Sequence, residues 1–133
     1  MKKTLLIFIS AISFYACAQK QNTAVVTNVT PDEFHKLYSA DKNAVIIDLR
    51  TDDELKAKGY IPGAVQLDWL AKDNEQQVDK LDKNKTYYIY CASGGRSGDC
   101  AEYMEKHKFK KVVNLEKGFT AWMASKGLPV EKK

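Results

Sequence analysis

The chain has 133 residues, which is enough for one domain with a single hydrophobic core, and 29% of them are charged. Its formal net charge is +4, or +2 when Lys2 and Lys3 are set aside, and the remaining lysines are scattered among acidic residues. The sequence has no basic run with interleaved aromatic residues, which argues against a nucleic-acid-binding function.

The first sixteen residues have the pattern of an export signal. Lys2 and Lys3 give a positive start, and the uncharged apolar run TLLIFISAISFYA occupies residues 4–16. This run is shorter than a permanent membrane-spanning helix normally requires. We therefore expect residues 1–16 to be a signal peptide that directs export to the periplasm.

Two modes of signal cleavage are possible near Cys17. FYAC resembles a bacterial lipobox, in which Cys17 would become the lipidated N-terminal residue, and Phe14 stands where that motif usually has an aliphatic residue. ACA before Gln19 also fits the small-x-small rule of ordinary signal peptidase. We favour the lipobox, which predicts a membrane-anchored lipoprotein with a polar tether at residues 17–24 and a folded domain at residues 25–133.

Strand-like and helix-like segments alternate along residues 25–133. The predicted strands are VVTNV (25–29), NAVIIDLR (43–50), a short strand within IPGAVQLD (61–68), TYYIYC (86–91) and KKVVNL (110–115). The predicted helices are TPDEFHKLYSA (30–40), TDDELKAKG (51–59), NEQQVDKLDKNK (74–85), SGDCAEYMEKHKF (97–109) and FTAWMASKG (119–127). This order predicts an α/β domain with a mainly parallel central sheet and helices on both faces.

The segment CASGGRS, residues 91–97, connects the fourth predicted strand to the helix that follows it. Ligands of parallel sheets bind beyond the carboxyl ends of the strands, where Cys91 is placed. Unpaired amides at the helix start favour negative charge, Gly94 and Gly95 can adopt positive φ, and Arg96 adds a permanent positive charge. The combination predicts an anion-binding loop that holds Cys91 as a thiolate, although each feature alone is also typical of a buried cysteine before an ordinary turn.

Three motifs, in this order, resemble those of the rhodanese (sulfurtransferase) homology domain over about residues 25–130. IIDLRTDDELKAKGYIPGAVQLD is similar to the family's D-x-R…G-H-I-P-G-A signature, with Tyr60 in place of the usual histidine. CASGGRS is similar to the six-residue active loop, which Arg96 closes. LEKGFTAWMASKGLPV is similar to the closing motif, with Lys117 where a second glycine is common.

The resemblance implies a sulfurtransferase in which Cys91 carries a sulfane sulfur from a small anionic donor, such as thiosulfate, to a thiol or protein acceptor. The rest of the loop would bind the substrate through its amides and the arginine: Ala92, Ser93, Gly94, Gly95 and Arg96. Asp48, Arg50 and Ser97 would support the loop, and we expect Asp48 to partner a loop amide or Arg96. The resemblance calls for no cofactor and no metal, and we expect a monomer.

Two other functions stay open at this stage. Many rhodanese-like domains lack the cysteine and serve as binding or regulatory modules, and an intact loop does not by itself demonstrate turnover. A phosphatase-like or arsenate-reducing enzyme on the same scaffold is the second alternative. Phosphatases of similar fold use a loop one residue longer, so the four residues between Cys91 and Arg96 favour sulfur transfer.

Cys100 lies in the first turns of the helix that follows the loop. Packing in the core is its predicted role, because a free cysteine behaves as a small hydrophobic residue. A resolving thiol for Cys91 is the alternative, since exported proteins meet an oxidising compartment.

Overall fold

The computed structural model describes residues 25–133, so the predicted signal peptide, Cys17 and the tether lie outside the described residues. Within this range the strands are β1 (Val25–Val29), β2 (Val45–Asp48), β3 (Val65–Gln66), β4 (Thr86–Tyr90) and β5 (Lys111–Leu115). The helices are α1 (Pro31–Ala40), α2 (Asp52–Lys58), α3 (Asn74–Asp79), α4 (Gly95–Lys106) and α5 (Gly118–Ala124). Strands and helices alternate as predicted.

The strands form a single sheet in the order β1-β5-β4-β2-β3. Every neighbouring pair is parallel; Ile47 of β2, for example, lies opposite Ile89 of β4. All five strands therefore end at the same edge of the sheet, and Cys91 follows the central strand β4 there. This confirms the predicted α/β fold with a parallel central sheet.

Two hydrophobic clusters cover the two faces of the sheet, and β4 contributes to both. Tyr87 and Ile89 belong to the cluster that includes Met104 of α4, whereas Tyr88 and Tyr90 belong to the cluster that includes Trp122 of α5. Successive side chains of a strand point to opposite faces, so both faces of β4 are covered and residues 87–90 are all buried. The helices therefore lie on both faces, with the loop after β4 between them.

Several helix boundaries follow from local signals. Thr30 and Thr51 cap α1 and α2 as N-caps, and Gly59 follows α2 with a φ of 79°. In contrast, α3 stops at Asp79, six residues before its predicted end, because the chain turns at Asp82, whose side chain accepts a hydrogen bond from the backbone two residues later. None of the helices in residues 25–133 is both long and apolar enough to cross a membrane.

Candidate active site

The loop after β4 wraps around the sulfur of Cys91, which is buried at the base of the loop. The Gly94 N–H donates a hydrogen bond to Cys91 Sγ at 3.0 Å. Gly94 adopts a left-handed conformation, with a φ of 104°, as the N-cap of α4. Gly95 is already the first residue of α4, which begins two residues earlier than predicted. The loop therefore uses the conformational freedom of one glycine, where the sequence suggested two.

The surroundings of Cys91 favour its ionised form. Burial raises the pKa of the thiol, but hydrogen bonds from the Ser97 hydroxyl and from the amides of Ser97, Gly94 and Ser93 outweigh it and hold the pKa below the ordinary value. The Ser97 hydroxyl also lies 3.3 Å from the Gly94 carbonyl oxygen. Because a hydroxyl has one proton, it donates either to this carbonyl or to the thiolate. The arrangement can thus stabilise negative charge on the sulfur.

Arg96 closes the loop through a bidentate ion pair with Glu54. Its Nη1 and Nη2 atoms donate to the two carboxylate oxygens of Glu54 at 2.8 and 2.7 Å. The hydrogen bond from Arg96 is the main reason that the pKa of Glu54 falls to about 2. Glu54 also accepts from the Thr51 amide at 2.9 Å, as the second half of a capping box. The expectation that Asp48 partners Arg96 is therefore wrong, because Glu54 occupies that position.

Asp48 instead forms a buried ion pair with Arg50. Arg50 Nε donates to Asp48 Oδ1 at 2.9 Å, and Nη2 donates to Oδ2 at 2.6 Å. The side chains are 1% and 0% exposed, and Arg50 Nη2 also donates to the Gly59 carbonyl at 2.8 Å. The guanidinium lies over the Phe119 ring, with Cζ 4.0 Å from the ring centre. Asp48 and Arg50 thus connect the end of β2 with α2 and α5, and Asp48 does not bind a loop amide.

The start of α5 holds the other side of the loop. The Phe119 amide donates to the Cys91 carbonyl at 2.8 Å, and the Thr120 amide and hydroxyl donate to the Ala92 carbonyl at 3.0 and 2.9 Å. Gly118 approaches so closely that a Cβ atom there would lie 2.5 Å from the Cys91 carbonyl oxygen. The resemblance of this closing motif to the family is visible in the sequence, but its contact with the loop is not, because Thr120 and Ala92 are 28 residues apart and no local pattern connects them.

The remaining predicted site residues fall at different depths. Ala92 is partly buried and Ser93 is exposed at the loop surface.

Cys100 packs in the hydrophobic cluster under α4 with 1% of its surface exposed, which confirms its predicted core role. Burial, with a smaller effect from Cys91, raises the pKa of Cys100 to about 12. Cys100 is therefore protonated at neutral pH and is a poor nucleophile.

The fold and the loop together define a class of α/β proteins that hold a cysteine in an amide-lined loop at the carboxyl edge of a parallel sheet. The family model of the Rhodanese-like domain matches residues 30–125, and the chain belongs to this family.

Named relatives and a solved structure agree with this assignment. "Putative sulfurtransferase YtwF" of Bacillus subtilis is 40% identical over 83 residues, which cover 62% of this chain and 77% of that protein. "Putative sulfur carrier protein YrkF" of the same organism is 31% identical over 102 residues, covering 77% of this chain and 54% of YrkF, so the match spans about half of its length. The crystal structure of a rhodanese-like domain protein from Staphylococcus aureus is 34% identical, with a TM-score of 0.65 over 80% of this chain and 99% of that one.

Proposed function

We propose that this protein is a sulfurtransferase that moves a sulfane sulfur from an anionic donor, such as thiosulfate, to a thiophilic acceptor through a persulfide on Cys91. The observation that carries the proposal is the environment of Cys91. Its Sγ accepts a hydrogen bond from the Gly94 N–H at 3.0 Å, and the pKa of its thiol is lowered. The sulfurtransferase name of a 40% identical relative supports the reaction class.

The reaction has two half-reactions at one sulfur atom. The Cys91 thiolate attacks the sulfane sulfur of thiosulfate; a new S–S bond forms, the S–S bond of the donor breaks, and sulfite leaves with its electron pair. A nucleophilic acceptor, which is cyanide in the assay and a thiol or protein in the cell, then takes the outer sulfur and releases the thiolate. The amides that favour the thiolate would stabilise the persulfide anion in the same way. A thiolate that is already formed needs no general base.

The test compares the two described cysteines as a matched pair. We expect intact-mass measurement after thiosulfate treatment to show one added sulfur atom in the wild type and in Cys100→Ser but none in Cys91→Ser. Thiocyanate formation from cyanide should follow the same pattern, because of these two cysteines only Cys91 accepts a hydrogen bond from an amide of the loop. Anion binding without an added sulfur would indicate a binding module. Hydrolysis of p-nitrophenyl phosphate through Cys91, faster than persulfide formation, would indicate a phosphatase.

We further propose that the protein is exported and anchored to a membrane by a lipid on Cys17, as the lipobox-like sequence suggests. The seven residues after Cys17 would reach roughly 25 Å when extended, which would keep the domain close to the membrane surface. In fractionated cells we expect the wild type with the membranes and Cys17→Ala unprocessed by lipoprotein signal peptidase. A soluble native protein that begins with unmodified Gln19 would contradict the anchor and favour ordinary secretion.

A further inference from the structure

An apolar side chain is held in the solvent at the end of the segment that follows β3. Leu70 is 66% exposed, and hydrogen bonds fix the turn that carries it. The Leu70 N–H donates to Asp68 Oδ1 at 2.8 Å, and the Trp69 carbonyl accepts a hydrogen bond from the Asn74 side chain at 2.6 Å. Because the turn is already ordered, covering Leu70 with a partner would cost little conformational entropy. A single exposed leucine is ordinary, so its surroundings decide whether it has a role.

This turn lies at the same sheet edge as the active loop. The Trp69 N–H donates to the Leu49 carbonyl at 3.2 Å, directly after the end of β2. The pKa of Arg96 is raised chiefly by its hydrogen bond with Glu54, and the charge of Asp68 contributes a smaller part of the rise. A molecule seated on the turn is therefore close to the loop that holds the nucleophile.

A groove between α3 and α4 begins beside the turn. Trp69 and Tyr103 line it, with ring centres 6.0 Å apart, and both pack against the hydrophobic cluster that contains Cys91. Asp99 lines the groove from the second turn of α4, the helix that starts directly after the loop. The groove therefore joins the turn to the first part of α4, next to the loop.

The charge of this groove is negative. Lys106 is paired with Glu102 at 2.7 Å, whereas the other two carboxylates of the lining, those of Glu75 and Asp99, have no ion-pair partner among residues 25–133. The adjoining segment 68–79 has four acidic residues and one lysine, although the whole chain has a net charge of +4. This side of the loop therefore attracts cationic groups and repels nucleic acids and anionic membranes.

The exposed leucine and the groove form one surface, which we call the α3–α4 surface: Trp69, Leu70, Glu75, Asp99 and Tyr103. We propose that this surface docks the protein that accepts the sulfur, a partner with a cationic and an apolar side chain near its reactive cysteine. The proposal rests on the sulfur transfer proposed for Cys91.

The chemistry of the surface matches such a partner. An arginine has an apolar stem and a charged end, so its stem would contact Trp69 and Tyr103 while its guanidinium pairs with a carboxylate of the groove. A neighbouring apolar side chain of the partner would cover Leu70. Opposite charges on the two proteins would also steer their encounter and fix their orientation.

The docked cysteine would complete the second half-reaction. Its thiol loses a proton to the solvent, and the thiolate attacks the outer sulfur of the Cys91 persulfide. An S–S bond to the partner forms, the S–S bond of the Cys91 persulfide breaks, and Cys91 leaves as a thiolate with the electron pair. The surface would therefore govern transfer to a protein but not transfer to cyanide, which needs no docking.

The first measurement uses two sets of peptides with a single cysteine as acceptors. In one set Arg-Leu stands about two to six residues before the cysteine, a separation of roughly 7–20 Å when extended, and in the other set Glu-Ser replaces it. Each rate is divided by the rate of the same peptide with a small persulfide in solution, which removes the effect of the arginine on thiol reactivity. We expect the best Arg-Leu peptide to be preferred at least about fivefold in kcat/KM, which corresponds to one exposed ion pair at the upper end of its usual strength. The preference should fall as the ionic strength rises.

Two matched double variants locate the preference on the molecule. Leu70→Ser with Asp99→Asn should abolish it, whereas Val65→Ser with Glu105→Gln should keep it. Val65 is 61% exposed but lies in the edge strand β3, and Glu105 lies near the C-terminal end of α4, away from the loop. The preference is a ratio within one variant, so a change in the reactivity of Cys91 cancels. No preference in the wild type, or its equal loss in both double variants, would overturn the docking proposal, and persulfide formation from thiosulfate would leave the sulfur transfer standing.

The second measurement needs no turnover. Calorimetry of Arg-Leu peptides with serine in place of cysteine should detect binding to the wild type and weaker binding to the double variant of Leu70 and Asp99. If no donor forms a persulfide on Cys91 but this difference in binding is present, the surface docks a partner and the proposed reaction is refuted. Absence of both the rate preference and the difference in binding would refute the docking surface.

Discussion

Replacement of Gly118 by alanine tests how α5 shapes the loop around Cys91. Gly118 has a φ of 59°, a left-handed conformation that costs a residue with a side chain about 1–2 kcal/mol. The new Cβ atom would lie 2.5 Å from the Cys91 carbonyl oxygen and 2.8 Å from the Ala92 carbonyl carbon. These neighbours are backbone atoms, so either the loop or α5 must move, and overpacking of this kind costs about 1–3 kcal/mol more. The total expected loss in the free energy of unfolding is about 2–5 kcal/mol.

Gly127→Ala is the matched control, because Gly127 has a φ of 80° but no atom within 4 Å of its added Cβ. This variant should lose only the conformational cost of about 1–2 kcal/mol. Urea unfolding at neutral pH measures both losses, and intact mass after thiosulfate treatment measures the rate of persulfide formation. We expect Gly118→Ala to be the less stable variant and to form the persulfide at least about tenfold more slowly, since complete removal of such a donor costs about 100- to 1,000-fold and displacement costs part of that. Equal losses of stability in the two variants, or an unchanged rate in Gly118→Ala, would refute the reasoning.

Two further predictions concern the charges of the loop. Glu54→Gln can keep the hydrogen bond that caps Thr51 but loses the ion pair with Arg96. Because the pKa of Glu54 is lowered to about 2, the stability that this ion pair contributes should be present above about pH 4.5 and lost as the pH falls towards 2. This pKa shift corresponds to about 3 kcal/mol, which solvent screening of the partly exposed side chains reduces to about 1–2 kcal/mol. Urea unfolding measures the difference in stability between Glu54→Gln and wild type, and the same difference at about pH 4.5 and at about pH 2 would contradict the prediction. Ser97→Ala should raise the pKa of Cys91 by removing a hydroxyl donor, as measured by the pH dependence of iodoacetamide alkylation, whereas Ser125→Ala, which removes a comparable hydroxyl from the end of α5, should leave the alkylation profile unchanged.

The parts of the fold that depend on local or periodic signals could be predicted from the sequence. Thr51 and Gly59 mark the limits of α2, and the apolar run that contains β2 indicates a strand buried on both faces. The partner of Arg96 could not be predicted, because Glu54 lies 42 residues away and meets it only once α2 and α4 are packed at the same sheet edge. Asp48 was assigned to the correct region but to the wrong partner, since its nearer neighbour Arg50 folds back onto it.

The contacts with α5 orient the N–H groups of the loop, because each peptide unit is planar. A trans peptide unit holds its carbonyl and its N–H on opposite sides, so fixing one direction fixes the other. The Cys91 and Ala92 carbonyls are both directed at donors of α5. The N–H groups of the same two peptide units, those of Ala92 and Ser93, must therefore point away from α5, and the Ser93 amide is among those that lower the pKa of Cys91. The distant closing motif thus orients amides that the loop sequence alone only makes possible, and for this reason Gly118→Ala should raise the pKa of Cys91 as well as slow its reaction.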